Sequence, residues 1–348
     1  MTIKRTLLSF TGGLAMATAM GSATAADFTM KIAHVGATTQ PIYTCVEVMK
    51  AYVERYSRGR VVVEHYPAGQ LGNFRQSVEQ VQLGTLEMTS TTGGGISNIF
   101  GPIQAFDIPY LFASDRVIDK FMMDPIVNAK LRKDVLEATQ TVRLMGMSGD
   151  HGWRSFFTNV PVKKASDLKG VKIRTIESPI TMELARAVGA NPTPIPWQEL
   201  YTSLATGVVV GTKNGITDIV NMKFHEFLHR VTLDHHAYMF LFWWMNDTAF
   251  QSYPPEIKKV VLDGFHHMTS MANNDPKYTA LPAYKAFKAK GGEVYVPTAA
   301  EKAQFVEMVQ PLKKWFVDKY GDEWLVLLES SIAQAKVDIA AEDAKIMQ

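Results

Sequence analysis

Phe28-Thr29-Met30-Lys31-Ile32-Ala33 alternates apolar and polar side chains at the two-residue period of an extended strand. Past it, Val46, Met49, Val53 and Tyr56 recur at helical spacing until Ser57-Arg58-Gly59 interrupts the pattern. Val61 to His65 reads as a second strand, and Pro67-Ala68-Gly69-Gln70-Leu71-Gly72 as a turn. Phe74 to Leu83 is helical again, Gly84 ends it, and a third strand lies around Leu86 to Thr91. Strand, helix, strand, helix, strand predicts an α/β domain on a largely parallel sheet.

The alternation resumes further on. Strand-like runs occur at Val142 to Met147, Ser155 to Thr158, Val171 to Thr175 and Tyr238 to Met245. Helical runs occur at Ile180 to Val188, Trp197 to Ala205 and Pro255 to Lys290, with two more after Thr298. The run from Pro255 exceeds an ordinary globular helix, so a spine crossing two lobes is expected, with Pro276 and Pro282 as candidate breaks. The expected division is 26–151 plus about 240–279 for the first lobe and 152–239 plus about 280–348 for the second. Ligands of open α/β sheets bind outside the carboxyl ends of strands, here between the lobes.

Composition narrows the function. The 348 residues carry 36 basic and 34 acidic side chains, and 47% are hydrophobic. Lys4 and Arg5, the apolar run Leu7 to Met20 and the small-x-small end Ala23-Thr24-Ala25 read as a secretory signal over residues 1–25. Without that segment the basic and acidic counts are 34 each, which leaves no electrostatic footprint for nucleic acid or an anionic membrane. Export, no later apolar run of membrane-spanning length and one cysteine together suggest a periplasmic protein with a large core and no disulfide. Cys45 falls on an apolar helical stripe and reads as a packed small hydrophobe.

Two constellations compete for the chemistry. His225-Glu226-Phe227-Leu228-His229 matches the zinc-hydrolase pattern H-E-x-x-H, with His235 at the spacing of a third ligand. The position where the longer motif needs glycine holds the β-branched Thr232. The alternative to zinc is a solvated or partly buried helix face. The second constellation is non-catalytic. Arg174 ends the apolar alternation Val171-Lys172-Ile173-Arg174-Thr175, and Arg154 sits between Trp153 and Phe156-Phe157. An arginine buried in such a run calls for an anion, and a bidentate carboxylate matches its planar fork. Each alone is also compatible with a structural ion pair. No P-loop, G-x-S-x-G or G-x-G-x-x-G is present, and neither cofactor nor metal is called for.

Five blocks in order add a resemblance. They are Tyr66 to Gly72, Phe106-Asp107-Ile108-Pro109-Tyr110-Leu111-Phe112, Asp167 to Arg174, Gly189-Ala190-Asn191-Pro192-Thr193-Pro194, and Glu199-Leu200-Tyr201 through Leu204 to Val209. Over nearly all of the mature chain they resemble the solute-binding subunits of TRAP transporters, of the C4-dicarboxylate-binding DctP type. The resemblance implies a two-lobed binding protein, not an enzyme. It would capture a small organic acid, act as a monomer, and deliver its ligand to a permease of small and large membrane subunits.

By the same resemblance Arg174 forms the main salt bridge to the ligand carboxylate, Arg154 assists, Trp197 packs on the carboxylate and Asn214 hydrogen-bonds it. The family's G-V-V-D-G-Q-E-N-P reads Gly207-Val208-Val209-Val210-Gly211-Thr212-Lys213-Asn214-Gly215 here, which alters the loop carrying Asn214. Where sialic-acid-binding relatives hold charged residues for a hydroxylated tail, this chain offers Phe74, Thr92 and Gly93 to Gly95, pointing to a smaller or less polar acid. His34, at the end of the first strand, and Trp243-Trp244 are further candidates to face the cleft. Glu177 is a candidate partner for a cationic ligand group. A periplasmic sensor subunit would share the same pocket.

Overall fold

A computed structural model describes residues 26–347, so the expected signal segment lies outside the described residues. Among these residues nine strands form one mixed sheet: β1 (Phe28–Ala33), β2 (Val61–Tyr66), β3 (Met88–Thr91), β4 (Val142–Thr158), β5 (Lys172–Thr175), β6 (Asn191–Pro194), β7 (Gly211–Asn214), β8 (Arg230–Asn246) and β9 (Glu293–Tyr295). Their order is β2-β1-β3-β8-β4-β7-β5-β6, with β9 beside β8. β1 is parallel to β2 and β3, and β5 is parallel to β6 and β7. These are the two expected α/β units.

Joining them is an antiparallel ribbon of the two 17-residue strands, β4 and β8, running from Val142↔Asn246 to Thr158↔Arg230. One end of the ribbon carries β3 through Met88↔Met245, and the other carries β7 through Ser155↔Asn214. Where two strands were expected within 142–158, β4 is continuous. Gly149-Asp150-His151-Gly152 breaks the apolar alternation, yet the partner strand carries pairing across it with register shifts between Gly149 and Trp153 and between Arg154 and Phe156. Gly152 has φ of 74°, which a side chain with a Cβ rarely adopts. Such bulges bend a ribbon and re-aim its side chains.

The helices follow from local sequence. The helix Phe74–Leu83 opens with a reciprocal capping box between Asn73 and Gln76 and closes on Gly84 in the left-handed conformation. The helix Pro41–Tyr56 buries Cys45, Val46, Met49 and Val53 along one stripe. After Thr298 there are three helices rather than two: Ala299–Val309, Pro311–Tyr320 and Glu323–Ile346. Pro311 starts one and Gly321, at φ 80°, ends it.

The long helix Pro255–Ala289 is unbroken, with Pro276 and Pro282 inside it. Its first half packs Ile257, Val261, Phe265 and Met268 against the core of β1, β2 and the helix Pro41–Tyr56. Gly264 lets that helix approach, since a Cβ there would lie 2.8 Å from a Val53 methyl. The second half buries Ala283 and Phe287 with Phe157, Phe224 and Leu228. The spine therefore touches both ends of the ribbon. The last helix, Glu323–Ile346, was grouped by sequence order with the second lobe. It packs instead on the helices Asp115–Met122 and Pro125–Thr139, through Trp324 Nε1 to Asp134 (3.0 Å) and Arg116 to Asp343 (2.8 Å). Among the described residues no helix is long and apolar enough to cross a membrane.

Phe287 is fully buried and meets Phe157 edge-on at 6.0 Å, so truncation leaves a cavity beneath the spine. Phe287→Ala should lower unfolding free energy by about 3–5 kcal/mol in chemical denaturation.

Candidate functional site

The carboxyl ends of β1, β3, β5, β6 and β7 converge on one cavity of about 480 Å³, part of it open to solvent. Val35 and Gly36 follow β1, Ser90 comes from β3 and Thr92 follows it, Arg174 comes from β5 and Ile176 follows it, Trp197 follows β6, and Asn214 ends β7. The bulged middle of the ribbon contributes His151, Arg154, Met239 and Leu241. An outer chamber of about 630 Å³ continues past Phe74, Arg174 and Trp197 to Asn73, Asn98 and Glu177.

Arg174 is 3% exposed, and its Nε donates to the Ile195 carbonyl at 2.9 Å. The guanidinium carbon sits 5.7 Å from the centre of the Trp197 ring, and Trp197 meets Phe224 edge-on at 5.3 Å. Arg154, also buried, donates to the Lys213 carbonyl at 3.0 Å. Among the described residues neither arginine has a carboxylate within 4.0 Å. Burial, followed by the charge of Arg154, lowers the Arg174 guanidinium to about 9, against the pull of Asp218, so it remains charged at neutral pH. Burial, followed by Arg154, lowers Lys213 to about 7, while Asp107 pulls it up. Burial pushes the Asp107 carboxyl up in turn, against Arg154 and Lys213. Arg154 and Arg174 thus line the cavity, and Lys213, which does not, is buried within electrostatic range of both, where an isolated buried charge costs several kcal/mol.

Asp107 is the acid that acts on Arg154 and Lys213, and Asp218, the acid that acts on Arg174, is committed elsewhere. Asp218 Oδ1 accepts from Gln40 Nε2 at 2.9 Å and lies 3.2 Å from His151 Nε2, while Oδ2 accepts from Asn214 Nδ2 at 2.8 Å. His151 Nδ1 meets Thr217 Oγ1 at 2.8 Å. This web ties the segment before the helix Pro41–Tyr56 to β4 and to the helix Ile216–Asn221. Sequence reading missed Gln40, His151 and Asp218. The signal for Asp218 was its position four residues after Asn214, and for His151 its place in the interrupted apolar run.

Of the residues expected at the site, Arg174, Arg154, Trp197, Asn214, Phe74 and Thr92 all line the inner cavity. Asn214 is held on both sides, its Oδ1 accepting from Thr212 Oγ1 at 2.7 Å. Glu177 is exposed and lines only the outer chamber. His34 is not on the cavity wall: its Nε2 meets His65 Nε2 at 2.7 Å, and burial, then His65, lowers its pKa to about 3. Trp243 and Trp244 are core residues, their indoles bonded to Ser148 and Thr91.

The H-E-x-x-H segment does not form the helix that zinc ligation requires. Phe224–Glu226 is a single 3₁₀ turn, and β8 begins at Arg230, so no α-helical turn aligns His225 with His229. His225 Nδ1 faces the Ile219 carbonyl, Glu226 accepts from Tyr201 at 2.6 Å, and His235 stacks on Trp153. Among the described residues no cluster of three or more metal-ligating side chains occurs.

Comparison with known proteins agrees with this geometry. Residues 32–319 match the family model DctP, described as bacterial extracellular solute-binding protein, family 7. The chain belongs to this family. It is a solute-binding protein rather than an enzyme. It is 26% identical to the C4-dicarboxylate-binding periplasmic protein DctP of Rhodobacter capsulatus, over 96% of this chain and all of that one. The ectoine/5-hydroxyectoine-binding periplasmic protein UehA of Ruegeria pomeroyi is 28% identical over 94% of each chain. A solved TRAP periplasmic solute-binding protein of Desulfovibrio salexigens with bound orotic acid superposes with a TM-score of 0.83 at 27% identity, covering 88% of this chain and 99% of that one.

Removing the shared acceptor would orphan the amides of Gln40 and Asn214 inside the protein. Asp218→Ala should therefore lower stability by about 1–3 kcal/mol, read from the denaturation midpoint at constant slope.

Proposed function

We propose that this chain is the periplasmic solute-binding subunit of a TRAP transporter, which captures a small organic acid anion at Arg174 and Arg154. The observation that carries the reading is the pair of buried guanidiniums that, among the described residues, have no protein carboxylate within 4.0 Å. A ligand carboxylate supplies the missing charge. Arg174 Nε is fixed on the Ile195 carbonyl and its carbon over Trp197, so the remaining N–H groups are aimed before the ligand arrives. A preset fork loses little side-chain entropy on binding. In a desolvated cleft such a bidentate contact is worth roughly 1.5–3 kcal/mol per charged hydrogen bond. The carboxylic acids named for the C4-dicarboxylate-binding and orotic-acid-bound relatives support the assignment.

Capture works by closure. The first lobe comprises 26–151, 240–279 and, because of its packing, the last helix 323–346; the second comprises 152–239 and 280–322. The cavity is walled by both, and the ribbon's register shifts beside His151 and Arg154 are the natural bending point. A ligand touching both walls binds the closed state more tightly and shifts the population towards it. The closed monomer then passes its cargo to the small and large membrane subunits of the permease.

Arg174→Ala should reduce affinity for the transported acid at least about a hundredfold in calorimetry with an unchanged circular-dichroism spectrum, a loss of about 3 kcal/mol. Arg174→Lys should also bind poorly, because an ammonium cannot reproduce the fork. Undiminished affinity in Arg174→Ala would overturn the clamp. The pH dependence has a definite sign. Lys213 is a base lowered to about 7, and an anion favours its charged form. Affinity should therefore fall as pH rises from 6 to 8, and Lys213→Met should flatten that slope.

A further inference from the structure

Strand β3 and the extended residue after it carry four consecutive hydroxyls, Thr89 to Thr92, which divide between two faces. Thr89 Oγ1 donates to the Ala33 carbonyl at 3.0 Å, and Thr91 Oγ1 accepts from Trp244 Nε1 at 2.8 Å. Ser90 and Thr92, two residues apart and so on the opposite face, line the cavity. Ser90 is 0% exposed and Thr92 5%, yet among the described residues neither Ser90 Oγ nor Thr92 Oγ1 has a hydrogen-bond partner. Thr92 also occupies the position before the short helix Gly93–Ile96, where a threonine ordinarily accepts from a backbone N–H, and makes no such bond. Two buried hydroxyls left unsatisfied on one wall are a recognition surface waiting for a polar atom.

The chemistry of that wall limits the atom. The other first-lobe side chains on the inner cavity are Val35, Gln40, Ile42, Phe74 and His151, with Met239 and Leu241 beside them; none is a lysine or arginine, and His151 is engaged by Asp218 and Thr217. The cavity's positive charge lies on the opposite side, at Arg154 and Arg174. A second carboxylate placed against β3 would be buried among apolar groups and two neutral hydroxyls, at a desolvation cost they cannot offset. A neutral hydroxyl or carbonyl oxygen is matched by them at no such cost.

We infer that the ligand is a monocarboxylate bearing a neutral oxygen function, a hydroxy- or oxo-acid, whose carboxylate meets the arginines while Ser90 and Thr92 hydrogen-bond its distal oxygen. This rests on the carboxylate reading above and narrows it to one substrate class. A site built to bond an oxygen rejects analogues lacking it, because its own polar groups are then left buried and unpaired.

The test is calorimetric titration of the full mature chain with unbranched acids of three to six carbons. Each chain length is offered as the plain monocarboxylate, the ω-hydroxy and ω-oxo acids, and the ω-dicarboxylate. At the best-fitting length the hydroxy or oxo acid should bind at least tenfold tighter than both the plain acid and the dicarboxylate. Ser90→Ala and Thr92→Val, alone and together, should erase that advantage, weakening the hydroxy or oxo acid about tenfold relative to the plain acid. A dicarboxylate that binds tightest, or an advantage that survives both substitutions, overturns the inference. So does a panel in which nothing binds. Arg174→Ala separates the two readings. If it abolishes binding of whichever acid binds best, the carboxylate clamp stands even where the hydroxyl assignment fails. If it has no effect, the clamp itself fails.

Discussion

A guanidinium removed from water without a protein counter-charge is the constraint around which this molecule is arranged. Arg174 can be buried at the end of β5 because its Nε is bonded to the Ile195 carbonyl and its face is covered by Trp197. Neither contact neutralises it. Arg154 and Lys213 add like charge nearby, and the acid within electrostatic reach, Asp218, is shared among Gln40, His151 and Asn214. On the proposed reading, the burial of these guanidiniums is a cost carried by the ligand-free protein and recovered when an anion enters. Stability is thereby traded for affinity, as at many functional sites.

The ribbon of β4 and β8 makes that trade usable. It runs through both halves of the sheet, and its irregular registers fall beside His151 and Arg154. The long helix Pro255–Ala289 packs on both ends, so the halves are tethered twice without a flexible linker. Movement of one half against the other would open the cavity and rehydrate the arginines together. Closure and charge pairing are therefore one event rather than two.

Much of this was legible in the sequence because the first two strands and two helices are locally consistent. The period of Phe28–Ala33, the Ser57-Arg58-Gly59 stop and the left-handed Gly84 each agree with the tertiary structure. Arg174 was legible for a related reason: a charge inside apolar alternation is costly enough to signal a task. What escaped were features decided by partners distant in the chain. The continuity of β4 across Gly149 and Gly152 depends on β8, and the seating of Glu323–Ile346 on the first half depends on Asp124, Asp134 and Arg116. H-E-x-x-H misled because a motif carries its chemistry only on a helix, and a 3₁₀ turn running into a strand removes it. His34 looked like a cleft residue from its place after β1, but His65 on the neighbouring strand holds it.

The most direct measurement is a crystal structure of the protein with its physiological solute bound. The expected result is a ligand carboxylate with both oxygens roughly 2.7–2.9 Å from the terminal nitrogens of Arg174, inside the cavity between β3 and β5. Finding that guanidinium paired instead with Asp218 or another protein acid, and the solute held elsewhere, would contradict recognition by an unpaired buried charge.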